Sequence, residues 1–66
     1  MLFRNNRYEV RAIARRRNRH YALVRFRHDY EAIEYASGLA ANAGHLWSRI
    51  EVVDLDTGAA IRAVEL

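Results

Sequence analysis

The sequence predicts a small α+β domain with the element order ββαββ, in which one helix packs on one face of a mixed four-stranded sheet. Residues 29–44 show the 3.6-residue periodicity of an amphipathic helix. The segments on both sides alternate with the period of two that is typical of strands. A chain of 66 residues is expected to form a single domain with a small core, with residues 1–7 as a flexible start.

The predicted helix carries start and stop signals at its two ends. Asp29 is expected to be the N-cap, and Glu31 and Glu34 place negative charge near the positive end of the helix dipole. Gly44 is expected to end the helix in the left-handed conformation. The apolar face that should meet the sheet consists of Ala32, Ile33, Ala36, Leu39, Ala40 and Ala43.

Two hairpins are predicted, one before and one after the helix. The first has the polar turn Arg16–Arg19, and the second turns around Gly58, which is expected to adopt a positive φ. Because a helix of this length usually connects parallel strands, the sheet is expected to be mixed. The sequence leaves open the strand order and the core face of the fourth strand. The predicted strands cover residues 8–15, 20–28, 46–54 and 59–66.

Composition narrows the classes of protein that the chain can form. Without cysteine it has neither a disulfide scaffold nor a thiolate zinc site, which is compatible with a reducing cytoplasm. No apolar run is long enough for a membrane span or a signal segment. We therefore expect a cytoplasmic protein with no membrane association. The charge is divided unevenly, with nine arginines and one acid in residues 1–28 and two arginines and seven acids in residues 29–66.

The sheet face that one helix cannot cover, here called the open face, is the predicted functional surface. If Val10, Ala12, Val24, Phe26, Ile50 and Val52 face the helix, strand alternation directs a mixture of apolar side chains and arginines outward. Such a mixture is expected to meet a partner. It consists of Ile13, Tyr21, Leu23, Trp47 and Val53 with Arg11, Arg15, Arg25, Arg27 and Arg49.

Two partners fit this surface. The first is a second copy of the chain, since small domains without disulfides or metals commonly gain stability by self-association. The alternative is nucleic acid, with aromatic rings for base stacking and arginines for phosphates. A third interpretation is a monomer whose aromatic rings pack over arginine stems. The predicted partner-binding residues are Arg11, Arg15, Arg16, Arg17, Arg19, Tyr21, Arg25, Arg27, Trp47 and Arg49.

Motifs for catalysis and for metal binding are weak in this sequence. Asp56-Thr57-Gly58 resembles the active-site motif of aspartic proteases over these few residues. This resemblance implies a catalytic site with paired carboxylates. The same residues also suit a hairpin turn. The three histidines are scattered along the chain, and no acid, base and nucleophile converge. We expect a non-enzymatic interaction module with no cofactor, no metal and no small-molecule substrate.

Overall fold

The computed structural model describes residues 6–66 and confirms the predicted ββαββ order and the α+β class. The chain forms two hairpins separated by one helix, and the predicted element positions differ from the observed ones by one or two residues. The elements are β1 (Tyr8–Ala14), β2 (His20–Phe26), α1 (Asp29–Ala43), β3 (Trp47–Asp54) and β4 (Ala60–Glu65).

The sheet has the strand order β2-β1-β3-β4, and every pair of neighbours is antiparallel. The predicted mixed sheet is therefore wrong. Both β2 and β3 run antiparallel to β1, so they are parallel to each other, as expected for strands joined by a helix. Because β1 lies between them, however, the two parallel strands never pair.

The core lies between α1 and the two central strands. Val10, Ala12, Ile50 and Val52 of the sheet are buried against Ala32 and Ala36 of the helix. Alanine on the helix lets the two backbones approach closely, so few residues suffice to exclude water. Of the other predicted face residues, Ile33, Leu39 and Ala40 pack against this core, and Ala43 is half-buried.

The helix ends differ from prediction. His28, and not Asp29, is the N-cap, and its backbone N–H donates to the Glu31 carboxylate at 3.2 Å. Gly44 has φ −60° and ψ −21°, so the predicted left-handed conformation is wrong. Glycine is required there for space instead, because a Cβ would lie 2.7 Å from the Ala40 carbonyl oxygen. Gly58, in contrast, has the predicted positive φ, at 78°.

A β-bulge in β2 changes which side chains face the helix. Val10 pairs with Val24 but Arg11 pairs with Ala22, so Leu23 is an extra residue in β2. Because side chains alternate with a period of two, one extra residue exchanges the two faces for the rest of the strand. Tyr21 consequently lies opposite Ala12, on the helix side.

A second bulge has the same effect at the start of β3. Ile13 pairs with Arg49 but Ala14 pairs with Trp47, so Ser48 is the extra residue. Trp47 therefore shares the helix side with Ala14 and packs against the core, as Leu23 does. The prediction that Tyr21, Leu23 and Trp47 lie on the open face is wrong, and the two bulges are the reason.

Candidate functional site

The open face of the sheet carries ion pairs in place of the predicted aromatic rings. Glu9, 4% exposed, accepts hydrogen bonds from Nε of Arg11 at 2.5 Å and from Nε of Arg25 at 2.8 Å. Burial raises the pKa of the Glu9 carboxyl, but the two guanidinium hydrogen bonds outweigh this effect and hold the pKa below its ordinary value. Glu9 is therefore charged and fully engaged at neutral pH.

A second group of three charges lies on β3 and β4. Arg49 donates to Glu51 at 2.8 Å and also contacts Glu65. Three predicted site arginines, Arg11, Arg25 and Arg49, are thus bound to carboxylates, and three arginines balance three glutamates on this face. An antiparallel sheet with one polar face commonly leaves that face in water. The open face consequently gives no physical reason to require a partner.

Charges are also paired at the end of the sheet where α1 begins. Asp54, 6% exposed, accepts from Nε and Nη2 of Arg7, each at 2.8 Å, and Asp56 lies 3.3 Å from the same guanidinium. The hydrogen bonds from Arg7 lower the pKa of Asp54 despite the opposing effect of burial. Arg7 is therefore bound to two carboxylates at this end of the sheet. Of residues 1–7, which are predicted to be flexible, residues 1–5 lie outside the described part of the chain. Arg27, predicted for the open face, lines a polar pocket at this end.

The opposite end of the sheet holds a groove of about 600 Å³, here called the tip groove. It lies where the β1–β2 turn, the start of β3 and the α1–β3 connection meet. Three arginines and one histidine are among its lining residues, and none of the lining residues is acidic. The lining consists of Ala14, Arg15, Arg16, Arg17, Tyr21, His45, Leu46 and Trp47.

Arg15 fixes the shape of the tip groove. Its Nη2 donates to the carbonyl oxygens of Gly44 at 3.2 Å and Trp47 at 2.9 Å, while its backbone N–H donates to Leu46 at 3.0 Å. The last carbonyls of a helix lack partners within the helix and carry partial negative charge, so a guanidinium there is stabilising. Arg15 therefore joins the hairpin to the end of α1 and is not directed over the open face, as predicted.

Two aromatic rings and one leucine form the apolar part of the tip groove. Tyr21 and Trp47 meet edge to face, with ring centroids 6.0 Å apart and an interplanar angle of 66°. Tyr21 is 37% exposed and Leu46 is 53% exposed. The Nε1 atom of Trp47 is buried and has no acceptor among the described residues. Because buried indole N–H groups usually find a partner, this end of the sheet retains an unmet donor.

Three arginines of the β1–β2 turn, Arg16, Arg17 and Arg19, are here called the tip arginines. All three are exposed, and no carboxylate in residues 6–66 lies within 4.0 Å of their guanidinium groups. Asn18, with φ 51°, turns the chain between them, and its N–H donates to the Ala14 carbonyl at 2.9 Å. The turn therefore presents unpaired positive charge on a hydrogen-bonded backbone.

The structure thus divides the predicted site residues into two groups. It brings Arg15, Arg16, Arg17, Tyr21 and Trp47 together at the tip groove, with Arg19 in the same turn. It places Arg11, Arg25, Arg27 and Arg49 elsewhere. Sequence reasoning missed three groove residues, Ala14, His45 and Leu46, although the last two directly precede Trp47 in the chain.

The described residues contain neither a cluster of metal-ligating side chains nor a helix that could span a membrane. Within residues 6–66 no three histidine or acidic side chains are grouped so that they could hold a metal ion. The single helix in that range is not long and apolar enough to cross a membrane.

Comparison of the chain with protein families, with curated proteins and with solved structures finds no match.

Proposed function

We propose that this chain is a non-enzymatic module that binds nucleic acid through the tip groove and the tip arginines. The observation that carries the proposal is the coincidence, at one end of the sheet, of three unpaired arginines with an aromatic groove that no acidic residue lines. Arginine forms planar, paired hydrogen bonds with phosphate oxygens, which suits a polyanion. A cytoplasmic location is part of the proposal.

The distribution of the acids supports a polyanionic partner. Glu9, Glu51, Asp54, Asp56 and Glu65 all contact arginines elsewhere in the structure. Among the described residues, positive charge therefore accumulates at the tip, where Arg16, Arg17 and Arg19 have no carboxylate within 4.0 Å. A concentrated patch attracts a chain of phosphates more strongly than the same charge dispersed.

A salt titration with oligonucleotides tests this proposal. If the three tip arginines each neutralise one phosphate of a single strand, the slope of log K against log salt is about −2, so raising salt from 50 to 200 mM weakens binding about 20-fold. The measurement is fluorescence anisotropy of a labelled oligonucleotide at several salt concentrations. Absence of binding at low salt would overturn the proposal.

Two matched double variants locate the binding surface. Arg16→Ala with Arg17→Ala removes two charges from the tip, and Arg27→Ala with Arg62→Ala removes two exposed charges from other parts of the surface. Both variants lower the net charge equally. We expect the tip variant to lose about tenfold in affinity and to show a shallower salt slope, and the control to stay within about twofold. Equal losses would mean that binding is not localised at the tip.

A second copy of the chain is the second candidate partner, and the exposed edge of β4 favours it. β4 pairs with β3 on one side only, and its residues are exposed apart from the half-buried Val64. Ile61 of β4 is 42% exposed, and Leu66, which directly follows the strand, is 40% exposed. An apolar strand edge is a template for another strand. The other edge strand, β2, is flanked by Arg19 and Arg27, so two copies of this edge repel each other, whereas β4 has one arginine and one glutamate.

Sedimentation measurements over a range of protein concentrations test the β4 pairing. We expect a dimer that Ile61→Lys converts to a monomer, because the added charge lies on β4, the strand whose free edge would pair with the second copy. Asn42→Lys adds the same charge to an exposed position of α1 and serves as the control. A monomer at every concentration, or a dimer unaffected by Ile61→Lys, would contradict it.

A further inference from the structure

We propose that the tip groove is a stacking site for an unpaired base, so that the ligand class is single-stranded nucleic acid or an unpaired loop. This inference rests on the proposed function and specifies which nucleic acids the site accepts. The inference is based on the different chemistry of the tip arginines and the tip groove. The tip arginines can bind the phosphates of any nucleic acid. The groove offers aromatic and apolar surface, which can stack only on a base that is accessible.

The geometry of the two rings leaves aromatic surface available. In an edge-to-face pair each ring keeps at least one face that the other ring does not cover. Tyr21 is also on an edge strand and remains 37% exposed, and Leu46, 53% exposed, adds apolar surface in the same groove. A flat base can therefore make ring contact at Tyr21 without displacing the core around Val10 and Ile50.

Base pairing would prevent this contact. In a duplex both faces of an internal base are stacked on its neighbours, so neither face can lie against Tyr21. An unpaired base has a free face that can lie against Tyr21. This free face favours an unpaired base over a duplex.

The arrangement also places the phosphate contacts beside the stacked base. Arg16 and Arg17 line the groove that holds Tyr21, while Arg15 is occupied by the Gly44 and Trp47 carbonyls. The phosphates next to the seated base are therefore the ones that Arg16 and Arg17 can reach. Base stacking and phosphate binding are predicted to act on the same short segment of the strand.

Fluorescence of Trp47 provides a direct test, because it is the only tryptophan in the chain. The ligands are an oligothymidylate, an abasic single strand of equal length and a duplex of equal phosphate number. We expect oligothymidylate to change the Trp47 emission and to bind at least fivefold more tightly than the abasic strand, since stacking of one base on an aromatic ring corresponds to about 5- to 150-fold in affinity.

Variants at position 21 separate stacking from charge. Tyr21→Leu keeps apolar contact with Trp47 but has no ring, so it should lose about tenfold toward oligothymidylate and nothing toward the abasic strand. Tyr21→Phe should restore wild-type binding. Tyr30→Leu is the control, because Tyr30 is 63% exposed and stacks on His28 at the other end of the molecule.

The outcomes distinguish the two proposals. Equal binding of oligothymidylate, abasic strand and duplex would overturn the stacking site and leave nucleic-acid binding intact. No binding of any of the three at low salt would overturn both. Loss of binding by Tyr21→Leu toward every ligand, with an unchanged circular dichroism spectrum, would also contradict a stacking role.

Discussion

The two ends of the sheet use arginine in opposite ways. At the end where α1 begins, Arg7 is bound to Asp54 through two hydrogen bonds of 2.8 Å. At the other end Arg16, Arg17 and Arg19 have no carboxylate within 4.0 Å among the described residues. Paired arginines hold strands and turns together, whereas unpaired arginines leave their binding capacity to a ligand. A basic composition therefore reveals little until each arginine is assigned to one of these uses.

Low pH should weaken the ion pairs of Glu9 and Asp54, which stabilise the fold, and should not affect the tip arginines. The pKa values of Glu9 and Asp54 are lowered in the folded chain, so the unfolded chain binds more protons in acid. Their contribution to stability is present above the pKa of the unfolded chain, about 4, and is lost as the pH falls through the folded values. Urea unfolding at neutral pH and at about pH 3 measures this loss.

Removal of one paired carboxyl tests the assignment of the acid effect. Asp54→Asn should flatten the decline in stability with falling pH, because one of the two responsible groups no longer titrates. Glu34→Gln, at an exposed position of α1, is the control and should retain the decline. A wild-type chain equally stable at both pH values would show that the ion pairs contribute nothing to folding.

Loss of the Glu9 charge is expected to have the largest effect on stability among the single substitutions proposed for the charged residues. Glu9→Gln keeps the volume but removes the charge that binds Arg11 and Arg25. Hydrogen bonds to charged groups contribute about 1.5–3 kcal/mol, so we expect a loss of about 2 kcal/mol in the free energy of unfolding. Urea denaturation measures it, and a change below about 0.5 kcal/mol would show that the arginines act independently of Glu9.

The sequence predicted the elements but not the faces of two strands. Alternation located the strands, and Gly58 located a turn, because both signals are local. The bulges at Leu23 and Ser48 have no such signal, since neither is a glycine, and each depends on how β1 pairs with its neighbour. One unrecognised extra residue per strand moved Tyr21 and Trp47 to the wrong side. The pairing of individual arginines with acids depends on the same strand register, so it could not be predicted from the sequence either.

The two hairpin turns allow a smaller comparison. Gly58 has φ 78°, and a Cβ there would meet no atom within 4 Å, so Gly58→Ala adds conformational strain without a clash. We expect a loss of about 1 kcal/mol. Asn18→Ala, at φ 51° in the tip turn, removes a residue that tolerates this conformation and should cost less than that. Thermal unfolding of both variants measures the difference, and equal stability of wild type and Gly58→Ala would contradict the argument.

The smallest effect on stability is expected at the tip itself. Arg17 is exposed beside Arg16 and has no carboxylate partner among the described residues, so Arg17→Ala removes repulsion and no attraction. The free energy of unfolding should change by less than about 0.5 kcal/mol, with a small gain at low salt. This result would agree with the proposed nucleic-acid site, in which a ligand neutralises these adjacent like charges. If Arg17→Ala destabilised the chain as much as Glu9→Gln, the tip arginines would be structural and the contrast between the two ends would fail.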